Sequence, residues 1–249
     1  MALHDFKSQR LYVDAELQAG VTVPCADDQA NYLRNVLRMN AGSEILTFNG
    51  RDGEWRARLE LVGKRGCALV PLEMVRPQVE GPDIHYLFAP LKRSRLDYMV
   101  QKATELGVAR LQPVLTRYTI AERVNLDRML ANAIEAAEQC GVLHIPQVVE
   151  PEKLQRVIER WDSDRPLVFC DEVAEEASPV AALGTLRPGP VGLIIGPEGG
   201  FADEERELLT RQTYTLRLSL GPRIMRADTA AVAALALINA VIGDWRETG

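Results

Sequence analysis

Two short apolar runs, each ending in a Gly-Pro corner, restrict this chain more than any other feature. Val191 to Ile195 leads into Gly196-Pro197-Glu198-Gly199-Gly200; after an acidic, helix-like segment, the run carrying Leu216, Leu218 and Leu220 ends in Gly221-Pro222-Arg223. Both have the length of a buried strand. Ligands of a parallel sheet bind beyond the carboxyl ends of its strands, so two adjacent corners predict one floor for one ligand. Glycine allows positive φ or close backbone approach and proline holds φ fixed, which makes the corners stiff. GPEGG matches neither G-x-G-x-x-G nor G-x-x-x-x-G-K-[ST], and no lysine follows to meet a phosphate, which argues against a nucleoside triphosphate. Taken alone, GPEGG is equally compatible with a plain strand-to-helix turn.

The rest of the chain supplies the frame. From residue 84 onward, strand-like and helix-like segments alternate: IHYLFA, a helix over 96–106, RLQPVL, a helix over 127–139, HIPQVV, a helix over 152–161, PLVFCDE, the two runs above, and a last helix over 228–245. This predicts an α/β domain with a mostly parallel sheet. Residues 1–74 read instead as a compact β-rich unit. RLYVDA, GVTVP, EILTFN, WRARLELV and CALVPLEMV are strand-like, with hairpin signals at Asn49-Gly50 and Asp52-Gly53, and a small β-barrel is expected. Asp27 or Asp28 caps a short helix with Tyr32, Leu33, Val36 and Leu37 as its apolar stripe. VRPQVEGPD, residues 75–83, is a linker by its prolines and glycine, leaving 84–249 as the second domain.

At 249 residues, with 47% hydrophobic and 26% charged, the chain has ample material for a core. Its start, MALHDFKSQR, lacks a basic-then-apolar leader, and the longest apolar run, Ala230 to Ile242, is too short for a bilayer; a soluble, cytoplasmic protein is expected. The four cysteines and three histidines are scattered, so neither a metal site nor a disulfide framework is expected. A net charge of −6 argues against broad, non-specific binding to nucleic acid. Between Lys92 and Arg128, however, eight basic residues face four acidic ones. This local excess suits one RNA-facing surface or merely solvated helix faces.

IGPEGGF followed by LGPRIMRADTA, with LKRSRLDYMVQKATELGV and EAAEQCG upstream, resembles the bacterial family of 16S ribosomal RNA uridine-N3 methyltransferases, which belong to the knotted SPOUT methyltransferases. The resemblance covers most of residues 84–242 and, more weakly, the first 75. It implies a SPOUT-like fold with a trefoil-knotted, mostly parallel sheet flanked by helices, preceded by a PUA-like RNA-binding β-barrel. It also implies S-adenosylmethionine as cofactor, held by Ile195, Gly196, Pro197, Gly199, Gly200 and Gly221 with apolar walls from Leu216, Leu218, Leu220 and Ile224. The partners implied are 16S ribosomal RNA in the small ribosomal subunit and a second copy of the chain. The last helix, apolar on more than one face, is the expected two-fold contact. Arg10, Lys92, Arg95, Lys102 and Arg223 become candidates for contacting RNA, as do Arg34, Arg38, Arg56 and Arg58.

Methylation at uridine N3 requires loss of the N3 proton and restraint of the charge left on the base. Arg223 and Arg226, just past the second corner, are the best-placed cations: Arg226 is expected to face the uracil, and Arg223 phosphate or the partner copy. Glu198 or Glu138 would orient one of them or accept the proton. N3 is engaged in Watson–Crick pairing within a duplex, so the target must be unpaired or flipped out. Three positions depart from the family pattern: Tyr118 and Val142 stand where arginines are usual and Ala227 where threonine is common, which bears on RNA contacts more than on the cofactor. Two other readings remain open, a related enzyme acting on a ribose 2′-hydroxyl and a non-catalytic RNA-binding assembly protein.

Overall fold

The computed structural model describes residues 8–120, 123–174 and 178–246; the first seven residues of the opening segment read for a leader, His4 among them, lie outside these. The chain clusters into two units, residues 1–80 with 137–145, and residues 81–136 with 146–249.

In the first unit lie β1 (Arg10–Tyr12), β2 (Val23–Pro24), α1 (Asp27–Asn31), β3 (Glu44–Phe48), β4 (Glu54–Val62) and β5 (Gly66–Arg76). The strand order is β1-β3-β4-β5-β2: β3, β4 and β5 form an antiparallel meander, and β1 runs parallel to β3. Leu11, Leu33, Ile45, Leu59 and Leu69 share its core. The Asn49 turn forms as its side chain demands, with Oδ1 accepting from Arg51 N at 2.9 Å and Asp52 N at 2.8 Å. Gly53 sits at φ 80, where a Cβ would lie 2.4 Å from Arg76 O, so only glycine fits. Two expectations change here. The cap of α1 is Ala26, whose N–H donates to Gln29 Oε1 at 3.0 Å, rather than an aspartate. Val75 and Arg76, assigned above to the linker, continue β5.

The arginines expected to face RNA from this unit are mostly committed elsewhere. Arg10 is buried: its Nε lies 2.8 Å from Glu54 Oε1, and Arg76 Nε holds Glu54 Oε2 at 2.8 Å. Arg10 is therefore an interior ion-pair residue rather than a phosphate contact: β1 points it to the face opposite the core residue Leu11, where Gly141 covers it beside an equally buried carboxylate. Arg34 donates to Gly66 O, and Arg56 and Arg58 pair with Glu73 and Glu60.

The second unit comprises β6 (Ile84–Phe88), α2 (Arg93–Glu105), β7 (Val108–Leu115), α3 (Leu126–Cys140, whose last turn clusters with the first unit), β8 (Gln147–Val148), β9 (Glu152–Lys153), α4 (Leu154–Glu159), β10 (Leu167–Cys170), α5 (Pro179–Leu183), β11 (Val191–Ile195), α6 (Asp203–Thr210), β12 (Thr215–Leu218) and α7 (Ala227–Val241). Its strands pair in parallel in the order β12-β10-β11-β6-β7-β8, with β9 also on β7. Central strands are apolar on both faces, as burial on two sides requires. Ile84, Tyr86 and Phe88 enter the core shared with α2 and α7, while Leu87 and Ile194 enter the one under α4 and α6. The expected alternation is present; α5 is an element that periodicity did not reveal, being only five residues long.

Candidate active site

The two Gly-Pro corners follow β11 and β12, which are not neighbours in the sheet: β10 lies between them. That intervening strand, about 4.8 Å from each, ends in Cys170, Asp171 and Glu172, and all three strand ends line one cavity of about 420 Å³. The expectation of adjacent corners is thus corrected, while the single floor remains and gains a third, acidic wall. PLVFCDE carried the signal: an apolar run closing on two acidic residues.

Asp171 organises this wall. Its carboxylate is fully buried, bonded by Arg206 and by Arg217 Nε at 2.9 Å, and it accepts Val173 N at 3.2 Å. Its own N–H donates to Leu218 O at 3.0 Å, which ties the ends of β10 and β12 together. A buried carboxylate so satisfied is a scaffold, since burial without partners would be costly. Burial, and then the charge of Asp171, push the Cys170 thiol up to about 12, so it stays protonated near neutral pH and offers no nucleophile.

The GPEGG loop is shaped by what surrounds it. A Cβ on Gly196 would meet the Phe201 ring at 2.6 Å, and that ring is fixed edge-on against Phe169, centroids 5.1 Å apart. Gly200 adopts φ 71, and a Cβ there would sit 2.8 Å from Glu172 Oε1. Gly199 passes close to Tyr118, 3.3 Å from its Cβ on the same construction. Bare backbone therefore forms this wall: the fixed Phe201 ring leaves no room at Gly196, and the left-handed φ disfavours a side chain at Gly200. Gly221 at φ 98 shapes the opposite corner.

The cavity gathers Ile195, Gly196, Pro197, Gly199, Gly200, Leu218, Leu220, Gly221 and Ile224 of the expected cofactor residues, together with Glu198 and Arg223. Leu216 is not among its lining residues: it packs into the core one alternation before the strand end, where the cavity has not yet opened. Ile224 is fully exposed at 102% and so stands at the mouth. Arg226 holds the N-cap position of α7, exposed and in extended backbone, next to Ala227, which lines the cavity.

Glu198 pairs with Arg95 across 2.7 Å, joining an expected proton acceptor to an expected RNA contact. Glu138 is placed otherwise. Its Oε1 accepts Tyr12 N–H at 2.8 Å in the first unit, and it is not among the cavity's lining residues. Bonded to main chain, it has a structural duty here. Lys102 pairs with Glu105 at 2.6 Å, whereas Lys92, Arg223 and Arg226 have no ion-pair partner among the described residues. Among the described residues no cluster of His, Cys, Asp and Glu is placed to hold a metal, and no helix is long and apolar enough to cross a membrane.

A family model described as an RNA methyltransferase domain matches residues 79–239, and one described as an RNA methyltransferase PUA domain matches residues 26–72. The chain is 33% identical over 240 residues to ribosomal RNA small subunit methyltransferase E of Synechocystis sp., covering 94% of this chain and 78% of that protein. Among solved structures it is similar to a methyltransferase of Legionella pneumophila in complex with SAM, with a TM-score of 0.83 at 31% identity, 94% of this chain and 97% of that one being covered. It is also similar to ribosomal RNA small subunit methyltransferase E of Neisseria gonorrhoeae bound to S-adenosyl methionine, with a TM-score of 0.82 at 26% identity and coverage of 96% and 100%.

Proposed function

This chain belongs to the ribosomal RNA small subunit methyltransferase E family, and on that premise we propose that it methylates N3 of a uridine in 16S ribosomal RNA, with S-adenosylmethionine as methyl donor. The observation that carries this reading is the convergence of three strand ends on one cavity lined by Arg223, with Arg226 just beyond it in the chain, neither ion-paired among the described residues.

The residues present fit the cofactor. The cavity's volume lies in the range of small-ligand sites, and its walls combine apolar Leu218, Leu220 and Met225 with the backbone of Gly196, Gly199 and Gly200, whose main-chain groups are able to meet adenine and ribose. When bound there, S-adenosylmethionine supplies an electrophilic methyl group on a sulfonium. Ile195 to Gly200 and Leu218 to Gly221 are the segments that would hold it, and the trefoil threading implied by the resemblance would keep them together. Arg226 stabilises the uridine anion left when the N3 proton departs; a guanidinium stays charged and its fork suits the O2 and O4 edges of the base. Arg223 and Lys92 meet phosphates. Glu198, paired with Arg95, orients that arginine or takes up the proton.

A homodimer completes the proposal. Val232, Ala233, Ala236 and Leu237 form a half-exposed apolar stripe on α7, and small residues let a second helix approach closely. Sedimentation at micromolar concentration should return twice the protomer mass; a single-protomer mass would remove the dimer from this account. The protein's place is the cytoplasm, with the ribosomes.

The enzymatic reading is tested by offering labelled S-adenosylmethionine with free 16S RNA, isolated small subunits and whole ribosomes in parallel. Label is expected on N3 of one uridine, with isolated small subunits preferred because they present the folded target. Label on a ribose 2′-oxygen, or none on any of the three, would refute it.

A further inference from the structure

A second cavity, of about 380 Å³, lies in the same unit on the sheet face that α4 covers. Inner faces of parallel sheets are normally apolar. Here β6 and β7 instead present His85, Arg110 and Gln112 to it, and Trp161, Arg160 and Arg165 close the other side.

The placement of Arg110 is a constructed one. Ile84 is registered with Val108, but His85 is registered with Arg110, so one extra residue, Ala109, is accommodated on β7. In uninterrupted register Ala109 would lie beside His85 and Arg110 would point to the opposite face, into the core under α2 and α7. The irregularity turns this arginine into the cavity.

Charge there is arranged unevenly. Arg165 is bonded to Asp83 at 2.7 and 3.0 Å, and Arg160 to Glu152, so both are neutralised in place. Arg110 is half-buried and has no hydrogen-bond or ion-pair partner among the described residues. Asp162, the remaining carboxylate of the lining, is exposed. Burial, and then the Arg165 guanidinium, hold the His85 imidazole down at about 4; Asp83 opposes this and Arg110 adds to it. The ring is neutral at physiological pH, and the guanidinium beside it is a cation lacking its anion.

We propose that this cavity is a second ligand site, separate from the methyl-transfer cavity, which takes a phosphate group on the fork of Arg110 with His85 and Trp161 at its flanks. Arginine's planar donors match phosphate oxygens two at a time. The phosphate has two possible sources, a free phosphate compound or the backbone of an RNA.

Calorimetric titration of inorganic phosphate and of a short single-stranded RNA into the protein and into its Arg110→Gln variant separates them. Loss of a charge-assisted bond should weaken binding by about tenfold or more. Tenfold weakening with inorganic phosphate assigns the site to free phosphates; the same weakening with RNA alone assigns it to RNA. In the unsubstituted protein, phosphate should also shift the His85 ring resonance and raise its titration midpoint, because an anion beside the ring favours the imidazolium. This measurement stands even if the variant folds poorly. Equal affinities in both proteins, or a His85 resonance that neither ligand moves, would overturn the proposal.

Discussion

Replacing Glu54 by alanine is expected to cost the first unit on the order of 3–5 kcal/mol of stability, the usual result of removing one partner from a buried ion pair. Glu54 is 2% exposed and serves two guanidinium groups at once, Arg10 through Oε1 and Arg76 through both oxygens. Arg10 is itself interior, its side chain only 4% exposed, and would lose the buried carboxylate that its Nε meets. Arg76 would lose less, since its Nη2 also donates to Gly141 O at 2.9 Å. Urea unfolding followed by tryptophan fluorescence should show the lowered midpoint, with Trp55 on β4 as the local reporter. A paired change, Glu54→Leu with Arg10→Met, should recover much of the loss, because it takes both members of the buried ion pair out together. If Glu54→Ala unfolds at the same urea concentration as the unsubstituted protein, the cluster contributes nothing.

Arg226→Ala should lower kcat by about 10²–10³, the scale seen when one preorganised donor to a developing anion is lost. Arg226 is exposed at the N-cap of α7 and has no ion-pair partner among the described residues, so its removal breaks no ion pair among them and the fold should persist. The affinity for S-adenosylmethionine should hardly change, because Arg226 is not among the residues that line the cavity. Arg226→Lys keeps the charge but not the fork, and should fall between the two. Methyl transfer at the unsubstituted rate, measured while calorimetry confirms cofactor binding, would take Arg226 out of the mechanism.

Local chemistry made much of this molecule legible before any coordinates. Residue alternation, apolar runs and glycine turns act over two to four neighbours, and β3, β4, β5, β6, α2 and α7 all appear where that chemistry placed them, within a few residues. The Gly-Pro corners were equally readable, because steric demand at a strand end is written in the residue type itself.

Strand order was not legible in this way. That β10 comes between the two corner strands and contributes Asp171 depends on which faces bury the most apolar area together, a property of distant segments. The same is true of single charges. Arg10 and Arg110 look alike as isolated arginines; one is drawn inside by Glu54 from 44 residues away, and the other is aimed into a cavity by a one-residue irregularity in register. Sequence by itself determined the elements and the corners, because those follow from short-range sterics and periodicity. Tertiary structure alone decided which ionisable groups are neutralised and which are left facing a cavity, because a charge's partner is set by proximity in space.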